Sequence, residues 1–221
     1  MIWQTKLLTV FAFILLWSAC KKDTPPGEVM YTVTFSGTWT SQDHPTDYPS
    51  NAHFSKAVGW SHEAGATFFE LGQLATEGVK VMAETGDPSP LDEEIQALID
   101  AGKGLDLIIG AQLSAGDESA TFEIGVSEDF PLVTLVSMIA PSPDWFVAVE
   151  NVALKAGDEW LDNLVVDATV YDAGTDSGES FKSANTATNP AGTINLLTVP
   201  PLGNGSTVDP PVARFSFERK K

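Results

Sequence analysis

Short runs of alternating or wholly apolar residues, each closed by glycine, proline or aspartate, recur along most of the chain and leave little room for another architecture. "MYTVTFSGTW" is the clearest: Tyr31, Val33 and Phe35 fall on one face and Thr32 and Thr34 on the other, the period of a half-buried strand. "GLDLIIG", "ATFEIGV", "PLVTLVSMIA", "WFVAVENV", "NLVVDATVY" and "VARFSFE" share its length and composition. No internal repeat relates them. Many short strands separated by turns predict an all-β fold, a two-sheet antiparallel β-sandwich.

Two segments depart from that period and predict short accessory helices packed on the sandwich. "FELGQLATEGVKVMAETG" places Leu71, Leu74, Val79 and Met82 at roughly helical spacing, weakened by Gly72 and Gly78. In "SPLDEEIQALIDAG", Ser89 can cap, Pro90 suits the first turn and acids follow it. Leu91, Ile95, Leu98 and Ile99 then share a face, and Gly102 can end the helix. The run from Val199 to Pro211 reads as a loop before the last strand.

Residues 1–19 read as a signal peptide rather than as part of the fold. Lys6 is their only charge; "LLTVFAFILLW" follows, then Ser18, Ala19 and Cys20, the one cysteine in the sequence. The apolar run is short for a membrane span. The small residues before Cys20 resemble a bacterial lipobox, with Trp17 standing where an aliphatic or small residue is more usual. That resemblance implies lipidation of Cys20 and a polar tether, "CKKDTPPGEV", over residues 20–29. It also implies a place in the bacterial envelope, as an outer-membrane lipoprotein or at the cell surface, with the membrane met through the lipid anchor only. Ordinary secretion with a free thiol is the alternative.

The formal net charge is -18, and loss of Lys6 with no acid makes it -19. Such a chain has no basic patch to seek a nucleic-acid backbone. Without a cysteine beyond position 20, the domain has no disulfide framework and no thiolate metal site.

The acids are not evenly spread. "YDAGTDSGES" sets Asp172 and Asp176 four residues apart between Gly174 and Gly178, and like charges held close are costly unless a cation lies between them. Asp144 in "PSPDWF" also falls where strands give way to a loop. Loops at one end of a sandwich cluster, and Gly174 lets the chain curl Asp176 back toward Asp172. Oxygen ligands without nearby histidine or cysteine suit a hard cation, calcium before magnesium. An EF-hand does not fit, because its third and twelfth positions would be Gly174 and Ser183. On spacing alone, a solvated Asp/Gly turn and a metal site both remain open.

"YTVTFSGTW", "HPTDYPSNAHFS", "LGQLATEGVKVMAETG", "VSMIAPSPDWFVAVENVAL", "YDAGTDSG" and "PPVARFSFER" together resemble the spondin N-terminal domain, the module of F-spondin and mindin. The match runs in order from about Tyr31 to Arg219, which makes residues 30–221 a spondin-like domain. The resemblance implies a sandwich similar to C2 domains with a bound calcium ion, Ca2+, whose ligands by motif are Asp144, Asp172 and Asp176. Animal spondins carry cysteines around this module, and their matrix and integrin partners do not transfer to this chain. What it implies here is a calcium-binding adhesion module, its partner an unidentified extracellular protein or glycan.

His44, His53 and His62, nine residues apart, match no compact zinc motif and read as structural hydrogen bonders. Trp39, Trp60, Trp145 and Trp160 could offer stacking faces to a sugar, but aromatics beside strands are by default core. Glu63, Glu70, Glu77 and Glu84 read as a solvated acidic face. No G-x-S-x-G elbow, H-E-x-x-H pair or phosphate-binding glycine loop is present, so a non-enzyme is expected, with a polysaccharide hydrolase as the alternative. If Cys20 is the acylation site, labelled fatty acid enters the wild-type protein, and Cys20→Ser moves the protein from the membrane fraction to the soluble one.

Overall fold

The computed structural model describes residues 27–221, so the expected signal peptide, Cys20 and most of the tether lie outside the described residues. In chain order the elements are β1 Val29–Gly37, β2 His53–Phe54, β3 Val58–His62, α1 Glu77–Thr85, α2 Leu91–Asp100, β4 Gly104–Ile109, β5 Ser119–Val126 and β6 Leu132–Ala140. There follow β7 Trp145–Ala153, β8 Lys155–Ala156, β9 Glu159–Trp160, β10 Asn163–Asp167, β11 Thr169–Asp172, β12 Asn195–Leu196 and β13 Ala213–Arg219.

The strands form two facing antiparallel sheets. One has the order β10-β13-β1-β5; the other runs β12-β11-β7-β6-β3-β4, with β2 added against β6, and β8 and β9 make a separate hairpin. In β1, Tyr31, Val33 and Phe35 are buried between the sheets while Thr32, Thr34 and Ser36 lie on the outer face, as the alternation requires. Phe35 stacks on Phe215 of β13 with ring centroids 4.6 Å apart, extending the apolar row across the small sheet.

The large sheet is buried on both faces. From β6, Val133, Leu135 and Ile139 enter the core between the sheets, whereas Val136, Met138 and Ala140 enter a second core beneath the helices. From β7, Trp145, Val147 and Val149 point one way and Phe146 and Ala148 the other. This is why those two strands read as near-continuous apolar runs rather than as alternating ones. Helix α1 lies over β6 and β7, and α2 over β3 and β4. Val79, Met82, Leu91 and Ile95 form the helices' share of the second core.

Three sequence expectations need correction. The first helix is confined to Glu77–Thr85, with Thr76 as its cap, and Leu71 and Leu74 are 51% and 61% exposed. The segment before it is a turn: Gly72 adopts φ 83°, the Gln73 amide bonds back to the Glu70 carbonyl, and the main chain of Gly72 and Gln73 bonds to Ile194. Ser89 does not cap α2; the N-cap is Pro90, with no side-chain hydrogen bond, and the first-turn acids face the helix dipole instead. "NLVVDATVY" is not one strand but two, β10 in the small sheet and β11 in the large one, divided at Ala168, whose amide bonds to Ala213.

One central strand, β3, has no counterpart in the sequence reading. Its second residue is Gly59, where a Cβ would stand 2.0 Å from the Thr134 carbonyl oxygen of β6. The glycine that hides the strand from a propensity argument is thus required by the close approach of its neighbour.

The register also defines two poles. Tyr31 pairs with Arg219 and Val29 with Val126, so the start of β1 and the end of β13 share one pole. Gly37 pairs with Ala213 at the other, where β6 ends and β7 begins with Trp145.

Because both faces of the large sheet are buried, truncations on either face are costly. Leu135→Ala, between the sheets, should lose about 2–5 kcal/mol and Phe146→Ala, beneath the helices, about 3–5 kcal/mol in denaturant unfolding. Val165→Ala, on an exposed edge position, should change little.

Candidate metal centre

Asp172 ends β11 and Asp144 immediately precedes β7, and those strands pair with Asp172 opposite Trp145. This single register brings the two loops together. Gly174 then takes φ 73°, and a Cβ there would meet the backbone of Gly192 and Thr193 at 2.7 Å. A Cβ on Gly178 would stand 2.6 Å from the Pro143 ring. The curl expected at Gly174 is therefore present, and both glycines admit neighbouring loops at a distance no side chain allows.

Each aspartate of the glycine-rich loop first serves its own turn. Asp172 Oδ1 accepts the Gly174 amide at 2.8 Å, and Asp176 Oδ1 accepts the Gly178 amide at 2.7 Å. The repeated Asp-x-Gly is thus a pair of Asx turns. Asp176 Oδ2 reaches further along the chain, accepting the Thr186 amide at 2.8 Å.

Asp144 ties the two loops. It is fully buried, and its Oδ2 accepts the amides of Thr175 at 2.6 Å and Asp176 at 3.0 Å, and the Thr175 hydroxyl at 3.2 Å. Its Oδ1 is buried with no hydrogen-bond partner. Burial, and after it the Asp172 charge, push the Asp144 carboxyl up to about 6, against the three donors that favour the anion. Burial also raises Asp172, with the Gly174 amide and the nearby Trp145 indole opposing it and the Asp176 charge adding to it. The indole favours that anion by proximity alone, since Trp145 Nε1 has no hydrogen bond of normal geometry. Asp172 therefore feels both of the other carboxylates.

Above this group opens a cleft of about 340 Å3, with Asp172, Asp176, Thr188 and Asn195 in its wall. In donor chemistry the residues fit a hard cation: every candidate ligand is an oxygen, and the orphaned Asp144 Oδ1 is a buried acceptor that a cation would satisfy. In geometry they form only part of a shell. Among the described residues no three His, Cys, Asp or Glu side chains are arranged to hold a metal ion. Calcium's irregular shell of about six to eight oxygens would draw the remainder from backbone carbonyls and water.

The histidines stay apart. His53 pairs opposite Ala140 and His62 opposite Leu132, at the two ends of β6, about 26 Å of strand. His62 is buried, with Nδ1 donating to the Glu63 carbonyl and Nε2 accepting from the Thr134 hydroxyl at 2.9 Å. Thr134 in turn accepts the Asn151 amide at 3.0 Å, where β7 bulges and Asn151 takes φ 51°. Burial lowers the His62 pKa, and its neutral form satisfies the bulge. Trp39, Trp60 and Trp145 are buried in the core, and Trp160 lies 5.2 Å beneath the Lys155 ammonium, so they present no common stacking face. What the sequence did not reveal is the role of Thr175, which donates to Asp144 from both amide and hydroxyl. Only its place between the two aspartates pointed to it.

The raised Asp144 pKa has a definite sign in stability. Between about pH 4 and pH 6 the folded metal-free protein holds a proton that the unfolded chain has lost, so the stability from this group is full at lower pH. It falls as pH rises through that window. The loss amounts to on the order of 3 kcal/mol. Denaturant unfolding across pH in chelator should show this slope, and Asp144→Asn should flatten it.

The family profile described as Spondin_N matches residues 29–204. Human Spondin-2 is 33% identical over 195 residues, covering 86% of this chain and 57% of that protein. Mouse Spondin-1 is 37% identical over 185 residues, covering 78% of this chain and 22% of its own, and Xenopus laevis Spondin-1 is 33% identical over 210 residues, covering 87% and 25%. The chain thus spans little more than half of Spondin-2 and about a quarter or less of Spondin-1. A two-sheet fold whose Asp144 loop and Asp-x-Gly loop close one pole, matched by this profile over most of its length, belongs to the spondin N-terminal domain family.

Proposed function

We propose that this chain is a non-catalytic binding module of the cell exterior, anchored to the envelope through Cys20, whose acidic pole holds calcium to shape an adhesive surface. The observation that carries the ion is Asp144: a fully buried carboxylate with one oxygen unpartnered, raised in pKa by burial and by a second carboxylate. Asp144, Asp172 and Asp176 would draw together from their metal-free positions to hold the ion, with backbone carbonyls and water completing the shell. Bound there, calcium supplies positive charge that offsets their mutual repulsion and cross-links the loop before β7 to the loop after β11. The protein's own part is to fix those loops beforehand, through the Asp144 acceptor and the two Asx turns. Support for a binding role comes from the family and from a site that offers carboxylate oxygens beside a cleft.

Calcium should raise the unfolding temperature. Extracellular calcium modules bind at about 0.1–1 mM, and ion at ten times its dissociation constant stabilises a fold by about 1.4 kcal/mol. Magnesium should do much less. Asp176→Asn should weaken the calcium response and, because one acceptor of the Gly178 and Thr186 amides becomes a donor, should also cost the metal-free protein about 1–3 kcal/mol. Calorimetric titration with no binding up to about 10 mM would overturn the site. Capture of the same envelope component with calcium, and its loss in chelator, tests the adhesive role; capture indifferent to chelator would separate that role from the ion.

A further inference from the structure

A second cleft, of about 640 Å3, opens where α1 ends beside β2 and β6, and it shares no residue with the wall of the Asp172 cleft. Lys56 and Asp87 both line it, yet no ion pair joins them. That is unusual for this molecule. Of the nine lysines and arginines among the described residues, seven are paired with an acid, and Lys56 is one of the two that are not.

The walls differ in hydrogen-bond polarity. His53 Nδ1 lies 2.7 Å from the Asn51 carbonyl oxygen and is the donor of that contact, and in the tautomer this sets, Nε2 is an acceptor. Asp87 spends one oxygen on the Ser89 amide at 3.0 Å, and among the described residues its other oxygen accepts no hydrogen bond. At the end of α1 the Gly86 amide takes the Met82 carbonyl, so the carbonyls after Met82 have no partner within the helix. These are acceptors, with the negative end of the helix dipole among them. The donors are the Lys56 ammonium and the Gln112 amide, and Met138 supplies an apolar floor.

An ammonium has three donors to give to the first set, and a carboxylate two acceptors for the second. A polyanion would be repelled by a chain of net charge -18, whereas a ligand carrying one charge of each sign is not. The cleft is larger than a single amino acid needs and falls in the ordinary range for small-ligand sites. We infer that this cleft binds a small amino zwitterion of dipeptide size, its ammonium against Asp87, His53 and the end of α1 and its carboxylate against Lys56 and Gln112. The cation at Asp144 plays no part in it.

The probe is the dipeptide Ala-Leu, titrated calorimetrically into the full chain in chelator, with its N-acetyl and C-amide derivatives as comparisons. The free dipeptide should bind with a dissociation constant of about 0.1–1 mM, and each cap should weaken it about tenfold or more. In Lys56→Gln the free acid and the amide should bind alike; in Asp87→Asn the free and acetylated amines should. Both variants replace exposed side chains, and an unchanged unfolding temperature verifies their fold. If either variant fails to fold, amide shifts of His53, Gly86 and Gln112 in the wild type must move on titration. Absence of saturable binding, binding indifferent to both caps, or variants that keep the wild-type discrimination would each overturn the assignment.

Discussion

Burial of both faces of one sheet is the constraint from which most of this molecule follows. A sheet covered by a partner sheet on one side and by helices on the other cannot alternate apolar with polar residues in its central strands, so β3, β6 and β7 carry almost no charge. An acidic chain must then place its carboxylates elsewhere: on the outer face of the small sheet, on the helices and in the loops at the ends. The exceptions are few. His62 and Thr134 absorb the bulge of β7, and Ser55 and Ser137 exchange hydrogen bonds with each other's strand. The indole N–H groups of Trp60 and Trp145 and one oxygen of Asp144 are the buried polar groups of this region left without a partner.

The sandwich was legible because its strands are long enough for periodicity to speak. β1 alternates plainly, and β6 and β7 announce themselves as apolar runs. β3 was illegible for the opposite reason: Gly59 and Ser61 depress its propensity, yet the close backbone approach to β6 selects the glycine. Leu71 and Leu74 show how spacing misleads, since Leu71 lies in a turn held by Ile194 and Leu74 in an isolated bridge to Thr193. No local pattern reveals a partner more than a hundred residues away. β10 and β11 mislead in another way, because a strand that changes sheets keeps its apolar pattern while its hydrogen-bond partners change.

At the acidic pole the aspartates were visible in the sequence, but their division of labour was not. Asp172 and Asp176 each spend an oxygen on a turn, which is the bland role that Asp-x-Gly spacing already suggested. Asp144 does what spacing cannot disclose: it accepts from three donors on a loop some thirty residues further along. The two readings of the loop are therefore not exclusive. The turns hold the carboxylates in place, and the cost of holding them close is the electrostatic asymmetry that a cation would relieve.

The arrangement of the poles has a mechanical consequence. Val29 lies at one end of the sandwich and Asp144, Asp172 and Asp176 at the other. Tension applied between Val29 and the acidic end would run along β1, whose neighbours β5 and β13 flank it over nearly its full length. Under that load the hydrogen bonds on both sides of β1 are sheared together. Tension between Val29 and Arg219 meets the same strands differently: the two ends are adjacent and antiparallel, so the bonds open one after another, like a zip. The same β1–β13 ladder is thus strong along the line from Val29 to the acidic pole and weak across its own ends.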